Sequence, residues 1–383
     1  MKGILENASR YTQTNNFEET AAELEGIGHA RIICAGCGGA GNNTINRLSM
    51  LGGVMGAETI ALNTDRQHLE NIQADKKFVI GKELTKGLGA GGDPSVGWEA
   101  AQEDRHKLKD LFKDANLVFV SAGLGGGTGT GSAPVVAEVA KECGALVVGV
   151  VTLPFRMEGS HRFEKAIQGL EAFRRYADTV ITLDNNKLLQ LVPNMPIDYA
   201  FSVSDEVLAE MVKGITETIT QPSLVNLDYA DVRTIMQDGG VAVIGVGESN
   251  TKNRVEEAVH EAMTCKLLDV DYKNAKGALV HVSGGSNMTL NEANRVGEIV
   301  NSIMDPEAKI IWGARVDESL KDSMRVMLIM TGVKSPFISG RAADGDIELQ
   351  PFERDARRKK MGGGEGFGRS IDWAKYGIDD LFS

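Results

Sequence analysis

Gly123-Leu124-Gly125-Gly126-Gly127-Thr128-Gly129-Thr130-Gly131-Ser132 decides how this chain is read. The apolar run 117–122 before it has the length of a strand, and 133–142 after it is spaced as a helix. From 125 to 131 there are five glycines and two threonines. A backbone so free of side chains can wrap several phosphate oxygens, and the hydroxyls add donors. No P-loop pattern ending in Gly-Lys-Ser/Thr occurs, so the phosphates would be held without a P-loop lysine.

A second loop, Gly36-Cys37-Gly38-Gly39-Ala40-Gly41-Asn42-Asn43, also follows a strand and opens a helix. Its backbone N–H groups and helix dipole would face an anion. Alone it is the weak dinucleotide fingerprint, and Asp65 sits where an NAD enzyme places its ribose carboxylate. An oxidoreductase is therefore an alternative on these residues, although no hydride-transfer constellation accompanies it. A third glycine loop, 87–94, could close over a terminal phosphate.

Apolar runs at 31–35, 59–63, 78–80, 117–122, 145–151 and 179–183 alternate with helix-length segments, which gives a parallel sheet covered on both faces. A long, largely buried helix spans 200–220 and ends before Pro222. Strands at 241–246, 278–283, 309–314 and 324–331, with helices at 254–265 and 289–304, make a smaller second α/β domain. The expected division is an arm at 1–29, a nucleotide domain at 30–199, a central helix at 200–222, a C-terminal domain at 223–335, a linker at 336–370 and a terminal partner-binding peptide at 371–383.

The chain has 383 residues and a formal net charge of -12, which argues against a nucleic-acid binder. The longest apolar run, around 145–155, is too short and proline-broken to cross a bilayer, so the expectation is a cytoplasmic protein without direct membrane insertion. Cys34, Cys37, Cys143 and Cys265 are too scattered to staple the chain, and Cys34/Cys37 read as inert structural thiols.

Taken together, Gly125–Gly131, Gly36–Asn43, Asn63-Thr64-Asp65 and Gly87–Gly91 resemble the FtsZ family of the tubulin superfamily over about 31–333. The resemblance implies a Rossmann-like GTPase domain, a central helix and a smaller α/β domain. Leu183-Asp184-Asn185-Asn186 and Thr220-Gln221-Pro222-Ser223-Leu224 look closer to the second archaeal paralogue than to the bacterial protein.

By that resemblance, Gly38, Gly39, Ala40, Gly41, Asn42 and Asn43, with Gly125, Gly126, Gly127, Thr128, Gly129, Thr130 and Gly131, hold the α- and β-phosphates of GTP or GDP. Asn63, Thr64, Asp65, Gly89, Ala90, Gly91 and Gly92 surround the γ-phosphate, with Mg²⁺ accompanying it. Pro154, Glu158 and Arg162 lie near the sugar and phosphates, Asn185 on the ribose, and Phe201 and Asp205 on guanine. Without the family, Glu158/Arg162 is an i,i+4 ion pair and Phe201 a core residue.

Asn226, Asp228 and Asp231 resemble the family's catalytic loop, which projects to the nucleotide of the next subunit and acts on the attacking water. Composition alone reads the two acids as a helix N-cap and dipole compensation. The resemblance further implies head-to-tail self-assembly at the mid-cell division ring, co-assembly with an FtsZ paralogue, and a SepF-like membrane anchor on the terminal peptide. A regulatory nucleotide binder without turnover is the alternative from another class.

Overall fold

Every residue of the strand Ile32–Cys37 is buried, and so are all eight of Leu146–Leu153, as strands covered on both faces must be. The structure is a computed structural model that describes residues 30–187, 196–220, 228–264 and 275–333. The arm 1–29, Asn226, Cys265, the linker 336–370 and the peptide 371–383 lie outside the described residues.

The strands are β1 (Ile32–Cys37), β2 (Ala57–Asn63), β3 (Lys76–Val79), β4 (Leu117–Gly123), β5 (Leu146–Leu153), β6 (Thr179–Asp184), β7 (Gly240–Ser249), β8 (Gly277–Gly284), β9 (Lys309–Val316) and β10 (Met324–Thr331). They form one sheet in the order β3-β2-β1-β4-β5-β6-β7-β10-β8-β9. The helices are α1 (Gly38–Met50), α2 (Arg66–Glu70), α3 (Lys82–Thr85), α4 (Pro94–Glu103), α5 (Arg105–Phe112), α6 (Thr128–Glu142), α7 (Ser160–Arg174), α8 (Ile197–Thr220), α9 (Tyr229–Met236), α10 (Arg254–Thr264) and α11 (Leu290–Ile303).

All pairings from β3 to β7 are parallel, with Ile32 facing Ala57 on one side and Leu117 on the other. The C-terminal ends of β1, β2, β4, β5 and β6 therefore lie along one edge, the place where open α/β sheets bind ligands. β7 joins β6 through only three residue pairs, Thr179–Gly240 to Ile181–Ala242. Beyond it β10 runs antiparallel to both β7 and β8. Apolar spacing predicts β10 but carries no information on its direction.

Helix α6 starts at Thr128, five residues earlier than spacing predicts, because the threonine–glycine repeat is itself the first helical turn. Two of its glycines are packing residues. A Cβ at Gly131 would stand 2.0 Å from the Pro94 carbonyl oxygen, and one at Gly129 2.7 Å from that of Gly123. In α1, Gly41 likewise lets the helix touch β4, where a Cβ would meet the Ser121 carbonyl oxygen at 2.2 Å. Beside it, buried Asn42 pins β2, accepting from the Leu62 N–H at 3.2 Å and donating to the Leu62 carbonyl at 3.1 Å.

Candidate functional site: a nucleotide cavity across five strand ends

The loops after β1, β2, β4, β5 and β6 enclose a cavity of about 410 Å³, within the usual range for small-molecule sites. Adjacent strands are about 4.8 Å apart, so four intervals across β2-β1-β4-β5-β6 span roughly 19 Å, the length of an extended nucleoside triphosphate.

Of the residues singled out in the sequence, Gly39, Ala40, Asn63, Asp65, Gly89, Ala90, Gly91, Gly126, Gly127, Thr128, Gly129, Pro154, Glu158, Arg162, Asn185, Phe201 and Asp205 line it. Gly38, Gly41, Asn42, Asn43, Thr64, Gly92, Gly125, Thr130 and Gly131 stand behind or beside the wall. Gly38, at φ +72, brings the β1 loop against Gly129. Asn42 is spent on Leu62, Asn43 is exposed, and the Gly92 carbonyl accepts from Lys165 at 2.8 Å. The Thr130 hydroxyl accepts from the Gly125 N–H at 2.8 Å, so it shapes the loop from within.

The loops at 63–65 and 87–91 are zipped into one wall. The Gly89 N–H donates to the Thr64 carbonyl at 3.2 Å and the Arg66 N–H to the Gly87 carbonyl at 3.1 Å. The Thr64 and Thr128 hydroxyls are 2.6 Å apart and tie this wall to α6. Asp65 caps α2, its carboxylate accepting from the His68 N–H at 3.2 Å. That use, at the β2 edge, is not the ribose role of a dinucleotide enzyme.

At the other end Phe201 and Asp205 project from the first turns of α8. Phe201 meets Phe155 edge-on with ring centroids 5.0 Å apart, and the Ser204 hydroxyl donates to Asn185 at 3.1 Å. Burial pushes the Asp205 carboxyl up to about 7, partly offset by the nearby Arg47 guanidinium. A carboxylate there presents paired acceptors to the N1–H and exocyclic amine of guanine, which adenine lacks. Glu158 and Arg162 pair at 3.1 Å, but across the break at Gly159 between the 3-10 turn Arg156–Glu158 and α7, not along one helix as spacing suggests.

Asp228 and Asp231 do not line the cavity. Asp228 is the N-cap of α9 and accepts from the Asp231 N–H at 2.8 Å, while Asp231 accepts from the Asp228 N–H at 3.3 Å. The capping role is thus present. It occupies one oxygen of each carboxylate at those distances. His68, Leu88, Leu124, Thr152 and Ser204 line the cavity without having been singled out. Thr152, two residues before Pro154 at the end of β5, was the most legible of them. Burial pushes the Cys34 and Cys37 thiols up to about 12, which keeps them inert.

A parallel sheet that carries glycine loops over one elongated cavity, with no lysine in its lining, defines a nucleotide-binding protein that cradles phosphates with backbone. The Tubulin/FtsZ family GTPase domain matches residues 31–193, and the FtsZ family C-terminal domain matches 240–334. The chain is 60% identical over 318 residues to cell division protein FtsZ 2 of Methanocaldococcus jannaschii, covering 82% of this chain and 83% of that one. It is 54% identical to FtsZ 2 of Halobacterium salinarum, covering 89% and 88%. The solved FtsZ dimer of M. jannaschii superposes with a TM-score of 0.79 at 48% identity, over 87% of this chain and 100% of that one. The chain belongs to the FtsZ family of cell-division GTPases, on the archaeal, second-paralogue side. The oxidoreductase alternative is thereby overturned.

Proposed function

We propose that GTP lies across the five strand ends and is hydrolysed at the junction between successive copies, where Asp228 and Asp231 of one copy complete the cavity of the next. The observation that carries this reading is a hydrogen bond: the Tyr229 hydroxyl donates to the Asn116 carbonyl at 2.8 Å. Asn116 precedes β4, whereas the cavity is built at its far end by Gly123. Seven residues of strand separate the two poles by roughly 20 Å. The acids therefore cannot reach the nucleotide of their own chain.

Both poles expose large apolar side chains that a second copy would cover. Leu88 is 86% and Met157 71% exposed near the cavity, and Met50 is 60% and Met55 67% exposed at the opposite edge. A contact between unlike poles is heterologous and propagates into a filament. Phosphoryl transfer needs alignment, charge stabilisation and an oriented water, and the last is what the cavity's own lining does not evidently supply. Asn226, two residues ahead of the cap, would join Asp228 and Asp231 at the junction.

Within the cavity, Phe201 and Asp205 would select guanine, Asn185 and Pro154 would hold the ribose, and Glu158 and Arg162 would sit over the sugar and phosphates. The loops at 38–43 and 125–131 would take the α- and β-phosphates, and those at 63–65 and 89–92 the γ-phosphate. Among the described residues no group of three or more acids, histidines and cysteines could hold a metal alone. Magnesium usually binds through one or two carboxylates together with substrate phosphates, and Asp65 and the Thr128 hydroxyl are the hard oxygen donors at that end. Bound Mg²⁺ would supply neutralisation of phosphate charge.

Among the described residues no helix is long and apolar enough to cross a membrane. Attachment at the division ring would use residues 371–383 on a SepF-like anchor, and an FtsZ paralogue could share the filament. Phosphate release from GTP, followed with light scattering across protein concentration and with ATP as control, tests the reading. GTP-specific turnover per subunit should rise as scattering appears. Binding without turnover would favour a regulatory protein.

A further inference from the structure

We propose that His68 is a specificity-determining residue that distinguishes GTP from GDP, its Nε2–H donating to an oxygen of the terminal phosphate. The inference rests on the reading of the cavity as a GTP site. On that reading the base lies at Phe201, Asp205 and Asn185 after β6, which line one end of the cavity, and the phosphates run over the loops after β4 and β1. The last phosphate therefore falls at the β2 edge, where His68 lines the cavity with Asp65 and Gly89–Gly91.

The basic side chains of the lining point the same way. Among the lining residues, Arg162 and His68 are the basic side chains, and Arg162 is paired with Glu158 at 3.1 Å beside Pro154 and Gly125. At the β2 edge Arg66 is turned to Glu70 at 2.9 Å, and Asp65 accepts the His68 backbone N–H. The His68 ring is thus the basic side chain placed at the terminal-phosphate end of the cavity.

Hydrogen bonding then fixes what the ring offers. Nδ1 is buried and has no partner, while Nε2 lies over Gly39, 3.7 Å from where a Cβ of that residue would stand. A neutral imidazole carries one N–H, and a buried N–H without an acceptor costs more than an idle lone pair. A ring protonated on Nε2 leaves Nδ1 as that idle lone pair and makes the cavity-side nitrogen a donor. A terminal phosphate against the wall of 63–65 and 89–91 would offer it a charged acceptor that a diphosphate lacks.

The test is binding of a non-hydrolysable fluorescent GTP analogue and of fluorescent GDP to the full chain, below the concentration at which scattering appears. His68→Ala should weaken the triphosphate roughly tenfold or more and leave GDP within about twofold, as loss of one hydrogen bond to a charged group requires. His68→Gln, which keeps a donor, should recover most of the loss. Equal weakening of both nucleotides, or no change in their ratio while the wild type still binds both, would overturn the role of His68 alone. A wild type that binds neither guanine nucleotide would overturn the GTP-site reading and this inference with it.

Discussion

Tyr229 and Asn116 hold the capping acids at one pole of the molecule, through a 2.8 Å hydrogen bond to the carbonyl that precedes β4. The glycine loop that ends β4 builds the nucleotide cavity at the other pole. One strand thus separates the capping acids from the cavity, and in the proposed reading a junction between copies would bring them together.

Asp231→Ala should leave GTP affinity of the isolated chain unchanged and lower assembly-linked phosphate release by roughly a hundredfold, the scale on which positioned acid–base groups act. It also removes half of the α9 capping box, at a cost of about 1 kcal/mol. Asp231→Asn keeps a capping oxygen, so similar loss of turnover in both variants would separate chemistry from stability. Thermal melts and phosphate release on the same samples make the comparison.

Guanine affinity should fall in acid. Burial pushes the Asp205 carboxyl up to about 7, and in the proposed reading its carboxylate is the form that accepts from guanine. Binding must then release a proton below that value, so GTP affinity should drop by up to about tenfold from pH 8 to pH 6. Asp205→Asn should flatten this dependence and weaken preference over ATP. Equilibrium titrations at the two pH values read both effects.

Much of this fold is legible in the sequence, and the reason lies in its parallel half. Strands buried on both faces read as continuous apolar runs, and all ten strands overlap the predicted runs. The direction of β10 is not legible, because period-2 patterning is the same either way. The nucleotide loops announce themselves by glycine density, yet Gly41 and Gly131 serve helix packing and Asn42 serves β2. Glycine density alone does not separate a glycine that opens onto the cavity from one that packs against a carbonyl, because both need the same missing Cβ. His68 carried no signal, since a single histidine on a short helix has no pattern.

Asn42→Ala tests that division of labour. Losing two buried hydrogen bonds to Leu62 should destabilise the chain by about 2 kcal/mol. GTP affinity per folded molecule should stay near wild type. Denaturant unfolding and nucleotide titration report the two quantities separately.

Arg254 ties α10 to α11 and to the loop before β10: it is buried and bonded to Glu292 at 2.7 and 2.9 Å, to Asn287 at 3.0 Å and to the Asp322 carbonyl at 2.7 Å. Arg254→Met should cost about 3 kcal/mol by leaving a partly buried carboxylate unpaired. Its guanidinium, with Thr289, holds the Glu292 carboxyl down at about 2, from an ordinary 4.5. A depressed carboxyl stabilises the fold above its unfolded value and loses that contribution as pH falls from about 4.5 towards 2. Wild type should therefore lose stability across that window, and Arg254→Met much less, in thermal melts at each pH.

The most direct test of the shared site is phosphate release per subunit, measured from below to above the onset of light scattering with GTP and Mg²⁺. Turnover per subunit that is near zero in dispersed chains and climbs with scattering, and that fails to climb in Asp231→Ala, is the expected result. Turnover independent of concentration, or unchanged by Asp231→Ala, would place the chemistry within one chain and contradict the account.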